Sequence, residues 1–275
     1  MKDLKSDEIR ESVRNRYGAI AKQGQAGCGC SPSGCCSGPS DAPQGSLSLQ
    51  VGYSETELES APAGSDLGLG CGNPQAIAAL KPGETVLDLG SGAGFDGFLA
   101  ARQVGTTGRV IGVDMTPEML VKARQHAKAG AYTNIEFRLG EIENLPVADA
   151  TIDVIISNCV INLSTDKGRV FREAFRVLKP GGRLAISDVV ATAPLPHDIR
   201  NDLTLYSSCI AGAATITELE AILRDSGFDQ IRIQPKDVSR QFIREWAPDR
   251  NVEDYIASAL IEAVKPGRSC ACSPA

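Results

Sequence analysis

Residues 85–94 read Thr-Val-Leu-Asp-Leu-Gly-Ser-Gly-Ala-Gly, and this stretch indicates the fold. Its first half is a short apolar run typical of a buried strand, and its second half is a glycine-rich turn. Further apolar runs begin at residues 109, 135, 153 and 183, with helical stretches between consecutive runs. Short hydrophobic strands that alternate with helices predict a parallel sheet covered on both faces, in a doubly wound, Rossmann-like α/β fold.

The length and composition are those of an ordinary globular chain. With 275 residues, 42% hydrophobic and 23% charged, the chain is long enough for one to two domains with a packed core. A net charge of −6 argues against a nucleic-acid partner. The opening residues are charged, and no apolar run reaches the length of a membrane span. We therefore expect a cytoplasmic protein with no membrane segment.

Three regions are predicted along the chain. Residues 1–73 hold a docking helix over Asp7–Ala21 and a leader rich in cysteine, glycine and serine, which has the composition of a flexible linker. Residues 74–192 form the Rossmann-like domain. Residues 193–275 form either the end of that domain or a small attached α+β lobe with a Cys-x-Cys tail.

Local signals predict the elements of this last region. Leu203–Gly212 is predicted to be helical, and a capping box at Thr217–Glu220 to open a helix that stops at Gly227. A strand is expected over residues 230–234, and a last helix over Val252–Lys265.

The glycine turn also limits which classes of cofactor the chain can bind. A dinucleotide-binding turn needs a third glycine where this chain has Phe95, and the nucleotide-hydrolase phosphate loop is absent. Asp114 ends the second strand, where a carboxylate can accept both hydroxyls of a ribose. These features predict a cofactor that carries a ribose and needs no pyrophosphate site.

Three motifs together resemble those of the class I S-adenosylmethionine-dependent methyltransferases. They are Asp88-x-Gly90-x-Gly92-x-Gly94, an acid after the second strand, and Leu178-Lys-Pro-Gly-Gly-Arg before the fifth strand. The resemblance implies S-adenosyl-L-methionine as the cofactor. Glu141 and Ile142 would lie against its adenine, and Asn158 near its transferable methyl group. The predicted cofactor-binding residues are Asp88, Gly90, Ser91, Gly92, Gly94, Asp114, Met115, Glu141, Ile142 and Asn158.

The acceptor has to be a nucleophile, and the sequence offers few bases. The chain has two histidines, His126 and His197, and both are expected at the surface. It has nine cysteines, an odd number that does not suit a fully paired disulfide scaffold. Cys71, Cys159 and Cys209 occur singly, and all three can converge on the carboxyl edge of the sheet.

Each single cysteine has a different setting. The glycines beside Cys71 are expected to expose its thiol, while Cys159 taken alone is more typical of a small buried hydrophobe, and Cys209 is uninformative. Together, three thiols indicate a soft substrate, because zinc sites more usually show Cys-x-x-Cys or histidine ligands. Trivalent arsenic takes three thiolates and keeps a lone pair that can attack a methyl group, so no general base is needed.

Five segments resemble the arsenite S-adenosylmethionine methyltransferases: residues 13–18, 67–74, 88–97, 157–162 and 206–209. The resemblance implies an enzyme of arsenite methylation and arsenic detoxification, in which Cys71, Cys159 and Cys209 bind trivalent arsenic. It also implies that a leader cysteine, Cys35 or Cys36, pairs transiently with Cys71 when arsenic becomes formally pentavalent.

Partners follow from the same resemblance. The substrate would be arsenite or its glutathione conjugate, the reductant thioredoxin or glutathione, and the protein a monomer. We expect the site thiols to be partly ionised before arsenic binds, since the thiolate is the ligand. Two Cys-x-Cys pairs, Cys28 with Cys30 and Cys270 with Cys272, either capture arsenite on mobile segments or have no role.

Two other functions stay open at this point. One is a class I methyltransferase that acts on carbon or oxygen of a small quinone or lipid. The other is a thiol-rich metalloid-binding protein without catalytic activity.

Overall fold

The computed structural model describes residues 6–23 and 46–267. Seven strands form one sheet: β1 (Thr85–Leu89), β2 (Arg109–Asp114), β3 (Ile135–Leu139), β4 (Ile152–Asn158), β5 (Leu178–Ala191), β6 (Asp229–Lys236) and β7 (Ile256–Val264). Their order across the sheet is β3-β2-β1-β4-β5-β7-β6. The first five strands pair in parallel, and β7 pairs antiparallel with both β5 and β6.

The helices of the described chain are α1 (Ser6–Gln23), α2 (Ser46–Gln50), α3 (Glu55–Ser60), α4 (Gln75–Ala78), α5 (Phe95–Val104), α6 (Pro117–Ala129), α7 (Lys167–Val177), α8 (His197–Arg200), α9 (Leu203–Tyr206), α10 (Ile216–Asp225) and α11 (Arg240–Ile243). Short 3-10 turns occupy Ile161–Leu163, Asp237–Ser239, Arg244–Trp246 and Val252–Asp254. None of the helices in these parts of the chain is long and apolar enough to cross a bilayer.

The sheet is covered on both faces, which confirms the doubly wound, Rossmann-like fold. Side chains alternate between the two faces along each strand. On one face Leu87 and Ile111 join a core with residues of α7 and α10, and on the other Val86 and Val110 join a core with residues of α5. The parallel strands therefore end together at one edge, where a ligand can bind.

Two predicted helices near the N-terminal and central parts of the chain are confirmed. The docking helix is α1, whose buried face includes Ile9, Val13 and Ala21. The helix after the second strand is α6, which begins at Pro117 and ends at Ala129. The prediction of a helix between the third and fourth strands was wrong, because residues 140–151 form turns and an isolated bridge between Glu141 and Asn144.

Three predictions for the last region were also wrong. Most of the predicted helix over Val252–Lys265 is β7 (Ile256–Val264), because the pairing of this segment with both β5 and β6 overrides helix propensity. The predicted helix over Leu203–Gly212 ends at Tyr206. The capping box of α10 is formed by Thr215 and Glu218, two residues before the predicted pair.

The last region extends the same sheet through β6 and β7. It also has a small hydrophobic cluster of its own, in which Leu205, Ile210, Ile243 and Ile256 pack together. All three single cysteines described by the structure belong to this cluster. The cluster therefore joins the last region to the ligand-binding edge of the sheet.

Candidate functional site

A deep cleft lies at the carboxyl edge of the parallel strands. Its empty volume is about 1160 Å³ including the mouth, and its walls come from the glycine turn, the ends of β2 and β4, and α1. Of the predicted cofactor residues, the cleft is lined by Asp88, Gly90, Ser91, Gly92, Asp114, Met115, Ile142 and Asn158.

The glycine turn needs its glycines for two separate reasons. Gly90, Gly92 and Gly94 have φ angles of +67°, +51° and +97°, in the left-handed region that side chains disfavour. A Cβ atom on Gly90 would also lie 2.2 Å from a methyl carbon of Val160. Gly92 has nothing within 4 Å of that position, so its backbone is open to the cleft.

Asp114 holds the turn in place. One carboxylate oxygen accepts the N–H of Gly92 at 2.9 Å, and the other accepts the N–H of Thr116 at 2.8 Å. The first of these bonds joins the turn after β1 to the end of β2, so two neighbouring strand ends form a single ligand-binding surface.

The polar groups of the cleft fit an adenosine-type ligand. Asp88 Oδ2 and Ser91 Oγ are buried and have no hydrogen-bond partner among the described residues. Such groups are costly to bury unless a ligand satisfies them. Burial, with Asp96 and Asp114 close by, holds the pKa of Asp88 well above its usual value. A ligand rich in donors and acceptors would compensate these groups.

Gly94 and Glu141 occupy other places. Gly94 precedes α5 as its N-cap residue. Glu141 is half-buried and faces Arg14 of α1, with a carboxylate oxygen 3.5 Å from the guanidinium. Glu143, which sequence reasoning missed, lines the cleft instead and accepts a 2.6 Å hydrogen bond from Ser164.

Asn158 joins the cofactor cleft to the Cys71 loop. Its amide oxygen accepts the N–H of Cys71 at 3.0 Å, and its amide nitrogen donates to Tyr53 Oη at 2.9 Å and to the carbonyl of Gly72 at 2.8 Å. Tyr53 in turn donates to Asp96 at 2.7 Å. Sequence reasoning missed Tyr53 and Asp96, although Asp96 directly follows the glycine turn.

Asp96 is a buried carboxyl with several donors around it. Burial raises its pKa to about 6, although hydrogen bonds from Tyr53, Asn158 and Gln75 oppose this rise. Near neutral pH it therefore carries a negative charge beside the cleft.

The structure brings two of the single cysteines together. The sulfur atoms of Cys71 and Cys159 and a carboxylate oxygen of Asp188 all lie within 4.8 Å of one another. Cys209 lies against Cys159, and its thiol donates a 2.8 Å hydrogen bond to the Cys159 carbonyl. All three thiols are free. A single atom bound by all three thiols would require the Cys209 side chain to turn away from that carbonyl.

Cys159 and Cys209 both have left-handed backbone conformations, with φ angles of +58° and +63°. Residues other than glycine rarely adopt this region, and the strain costs about 1–2 kcal/mol each. The conformation at Cys209 also explains why the predicted helix stops early. The packing around these two neighbouring thiols therefore has to hold both in a disfavoured conformation.

The glycines beside Cys71 do not expose it, contrary to expectation: its exposed fraction is 1%. They allow close packing instead. A Cβ atom on Gly70 would lie 2.6 Å from the Asn158 amide nitrogen, and one on Gly72 would lie 1.9 Å from Ser187 Oγ. Ser258 of β7 also donates to the Cys71 carbonyl at 2.7 Å. The loop is thus held by residues distant in the chain.

The expected partial ionisation of the thiols was wrong for two of them. Burial raises the pKa of Cys71, and burial together with the neighbouring Cys209 and Cys71 raises the pKa of Cys159 well above its ordinary value. Both are therefore neutral thiols near neutral pH before a ligand binds.

Several known proteins are similar to this chain. A family described as "Methyltransferase domain" matches residues 80–227. The arsenite methyltransferase of Halobacterium salinarum is 53% identical over 272 residues, which cover 97% of this chain and 69% of that protein. This chain belongs to the arsenite methyltransferase family.

Two other arsenite methyltransferases are also similar to this chain. The arsenite methyltransferase of Aquipseudomonas alcaligenes is 40% identical, over 88% of this chain and 69% of that protein. The crystal structure of an arsenic(III) S-adenosylmethionine methyltransferase from Chlamydomonas reinhardtii superposes with a TM-score of 0.61 and 34% identity, covering 83% of this chain and 76% of that one. The family resemblance and the fold class predicted from the motifs are confirmed.

Six of the nine cysteines lie outside the described residues: Cys28, Cys30, Cys35, Cys36, Cys270 and Cys272. The proposed pairing of Cys35 or Cys36 with Cys71, and the roles of the two Cys-x-Cys pairs, therefore stay predictions.

Proposed function

We propose that this protein transfers methyl groups from S-adenosylmethionine to trivalent arsenic bound by the thiolates of Cys71, Cys159 and Cys209. The observation that carries the proposal is the meeting of Cys71 and Cys159 next to the glycine-turn cleft. The family comparisons support an arsenic acceptor over a quinone or lipid, and the methyltransferase domain supports an enzyme over a simple binding protein.

The cleft residues hold the cofactor, which supplies a methyl group on a positively charged sulfonium. Asp114 and the glycine turn suit its ribose, and Asn158 lies at the boundary with the arsenic site. Glu143 joins the predicted set because it lines the same wall as Ile142. Buried Cys159 lines the cleft as well, so the two ligands share a space shielded from water.

Neutral thiols are suitable for arsenite. Three S–H groups exchange with the three hydroxyl groups of arsenous acid, and each proton leaves on a hydroxyl as water. No residue has to store a proton, which agrees with the exposed position of His197 and the half-buried position of His126. The arsenic lone pair then acts as the nucleophile.

The direct test incubates the full chain with S-adenosylmethionine, a thiol reductant and arsenite, followed by chromatographic separation and mass detection of the arsenic species. We expect methylated arsenic, and loss of methylation of inorganic arsenite in Cys71→Ser, Cys159→Ser and Cys209→Ser. Ser208→Ala is the matched control beside Cys209, because its hydroxyl donates to the Thr204 carbonyl.

Different results would select another function. Methylation of a quinone with full activity in Cys159→Ser would support a carbon or oxygen acceptor. If calorimetry detected no binding of S-adenosylmethionine, the proposal of an enzyme would be wrong, and a metalloid-binding protein would be the remaining function.

The proposed cycle needs an external reductant. Each methyl transfer leaves arsenic formally pentavalent, and oxidation of Cys71 with Cys35 or Cys36 to a disulfide returns two electrons to arsenic. Thioredoxin or glutathione then reduces the disulfide, in a cytoplasmic monomer acting on arsenite or its glutathione conjugate. Peptide mapping after turnover without reductant should find this disulfide, and a persistently free Cys71 would argue against it.

A further inference from the structure

Asp188 is a buried acidic residue in the arsenic site with no role so far. It lies on β5 with an exposed fraction of 1%. One of its carboxylate oxygens is within 4.8 Å of the sulfur atoms of both Cys71 and Cys159. A carboxylate so close to both sulfurs lies next to any atom that bridges them.

The surrounding donors favour the charged form of this carboxylate. Its Oδ2 accepts the backbone N–H of Ile161 at 2.8 Å, and its Oδ1 accepts the backbone N–H of Val189 at 2.7 Å and the Asn162 side chain at 2.9 Å. Three N–H groups stabilise an anion in a buried site. No ion pair within residues 6–23 and 46–267 includes Asp188, so its charge is not neutralised by direct contact.

Methyl transfer moves positive charge toward this anion. The arsenic lone pair forms the arsenic–carbon bond while the carbon–sulfur bond of the sulfonium breaks, and that bonding pair stays on the sulfonium sulfur. The sulfonium becomes a neutral thioether, and the neutral trithiolate-bound arsenic becomes a methylated cation. A fixed negative charge beside arsenic therefore stabilises the transition state more than the starting complex.

We propose that Asp188 is an electrostatic residue of the reaction, which stabilises the positive charge that develops on arsenic as the methyl group arrives. The inference rests on the proposed function. It assigns Asp188 no proton transfer and no bond to arsenic. Because the site is buried, the attraction is stronger than it would be in water.

Lys167 is a basic residue that acts electrostatically on Asp188. It is half-buried, donates to the Ser164 carbonyl at 3.3 Å, and interacts electrostatically with Asp188. Its positive charge lowers the pKa of Asp188 and so favours the ionised carboxyl, against the effect of burial. Lys167 therefore supports the negative charge on which the inference depends.

The test compares Asp188→Asn with the wild-type full chain in two measurements. The first is arsenite affinity without S-adenosylmethionine, followed by fluorescence of Trp246, the one tryptophan, which packs against the cysteine cluster. The second is the single-turnover rate of methyl transfer at saturating arsenite and S-adenosylmethionine. We expect the rate to fall on the order of 10- to 100-fold while arsenite affinity changes by less than about threefold.

Further variants separate charge from positioning. Asn162→Ala removes a neutral partner of Asp188 and keeps its charge, so it should slow transfer much less than Asp188→Asn. Asp188→Glu and Asp188→Gln have the same length and differ by one charge, so Asp188→Glu should transfer the methyl group faster, and this pair decides the question if Asp188→Asn does not fold. A purely structural role for Asp188 predicts equal rates in the two.

Opposite results would overturn the inference. These are an Asp188→Asn rate equal to wild type, an equal loss of rate in Asn162→Ala, or equal rates in Asp188→Glu and Asp188→Gln. If wild-type protein does not methylate arsenite at all, the proposed function fails instead, so the two failures are distinguishable.

Discussion

At the scale of single residues, Gly72 is closely packed beside Cys71 in the proposed arsenic site. A Cβ atom there would lie 1.9 Å from Ser187 Oγ and 3.0 Å from Ser187 Cβ. We expect Gly72→Ala to lower the free energy of unfolding by about 1–3 kcal/mol, because overpacking displaces the Cys71 loop. It should also weaken arsenite binding, measured by Trp246 fluorescence, with urea unfolding as the stability measurement.

Two variants control this experiment. Gly72→Ala combined with Ser187→Ala removes the closest contact and should recover part of the stability and affinity. Gly267→Ala has no neighbour within 4 Å of the added carbon and should be neutral. Full stability and affinity in Gly72→Ala would contradict close packing as the reason for glycine.

Asp96 gives a pH prediction at the same scale. Its pKa is raised from 3.8 to about 6 in the folded state, so the folded state binds the proton more tightly than the unfolded state. The contribution of Asp96 to stability is therefore fully present below pH 3.8 and is lost as the pH rises through about 6. A shift of this size corresponds to about 3 kcal/mol.

The measurement is urea unfolding of wild type and Asp96→Asn at several pH values. We expect the stability of wild type relative to Asp96→Asn to fall between about pH 4 and pH 7. A difference that stays constant across this range would show that Asp96 titrates alike in both states.

At the scale of elements, α1 is a wall shared by both ligand sites. Arg10, Val13 and Tyr17 line the cleft, and Ser12 Oγ lies 3.0 Å from Ser207 Oγ, two residues before Cys209. We expect deletion of residues 1–23 to weaken S-adenosylmethionine and arsenite binding together, each by roughly tenfold or about 1.4 kcal/mol. Calorimetry measures the first and Trp246 fluorescence the second.

The deletion should leave the rest of the chain folded, because α1 contributes no residue to the central core on either face of the sheet. Arg14→Ala is the matched point control. It breaks the half-exposed pair with Glu141, and its effect on stability should stay below about 1 kcal/mol. If the deletion weakened the binding of only one ligand, α1 would not be a wall that both sites share.

At the scale of the whole molecule, the last region shares one sheet with the parallel strands. β7 pairs along its full length with β5 and with most of β6, and Ser258 of β7 holds the Cys71 loop. A fragment of residues 193–275 lacks β5 and should not fold alone, as judged by circular dichroism. The full chain should unfold in one transition, and a separate transition for the fragment would instead support an independent lobe.

Sequence patterns identified what depends on neighbouring residues. The first three strands, the glycine turn, α1 and α6 were predictable because hydrophobic period, caps and glycine spacing act within a few residues. The fifth strand begins at Leu178 and so includes the Pro-Gly-Gly segment that was expected to precede it. The three single cysteines were identified by their motifs, each of which is local. The same locality explains the errors: β7 is a strand only because β5 and β6 flank it, and no nearby residue reports that.

The chemistry at the site depends on longer distances. Cys71, Cys159 and Asp188 come from separate segments that the sheet topology brings within 4.8 Å. Their burial raises the thiol pKa values, and for Cys71 the adjacent glycines indicated exposure instead. The chain order alone was therefore enough to predict the fold and the cofactor class, and it singled out the three cysteines proposed as ligands. The protonation of those thiols and the carboxylate beside them follow from packing between distant segments, because desolvation and charge act through space rather than along the chain.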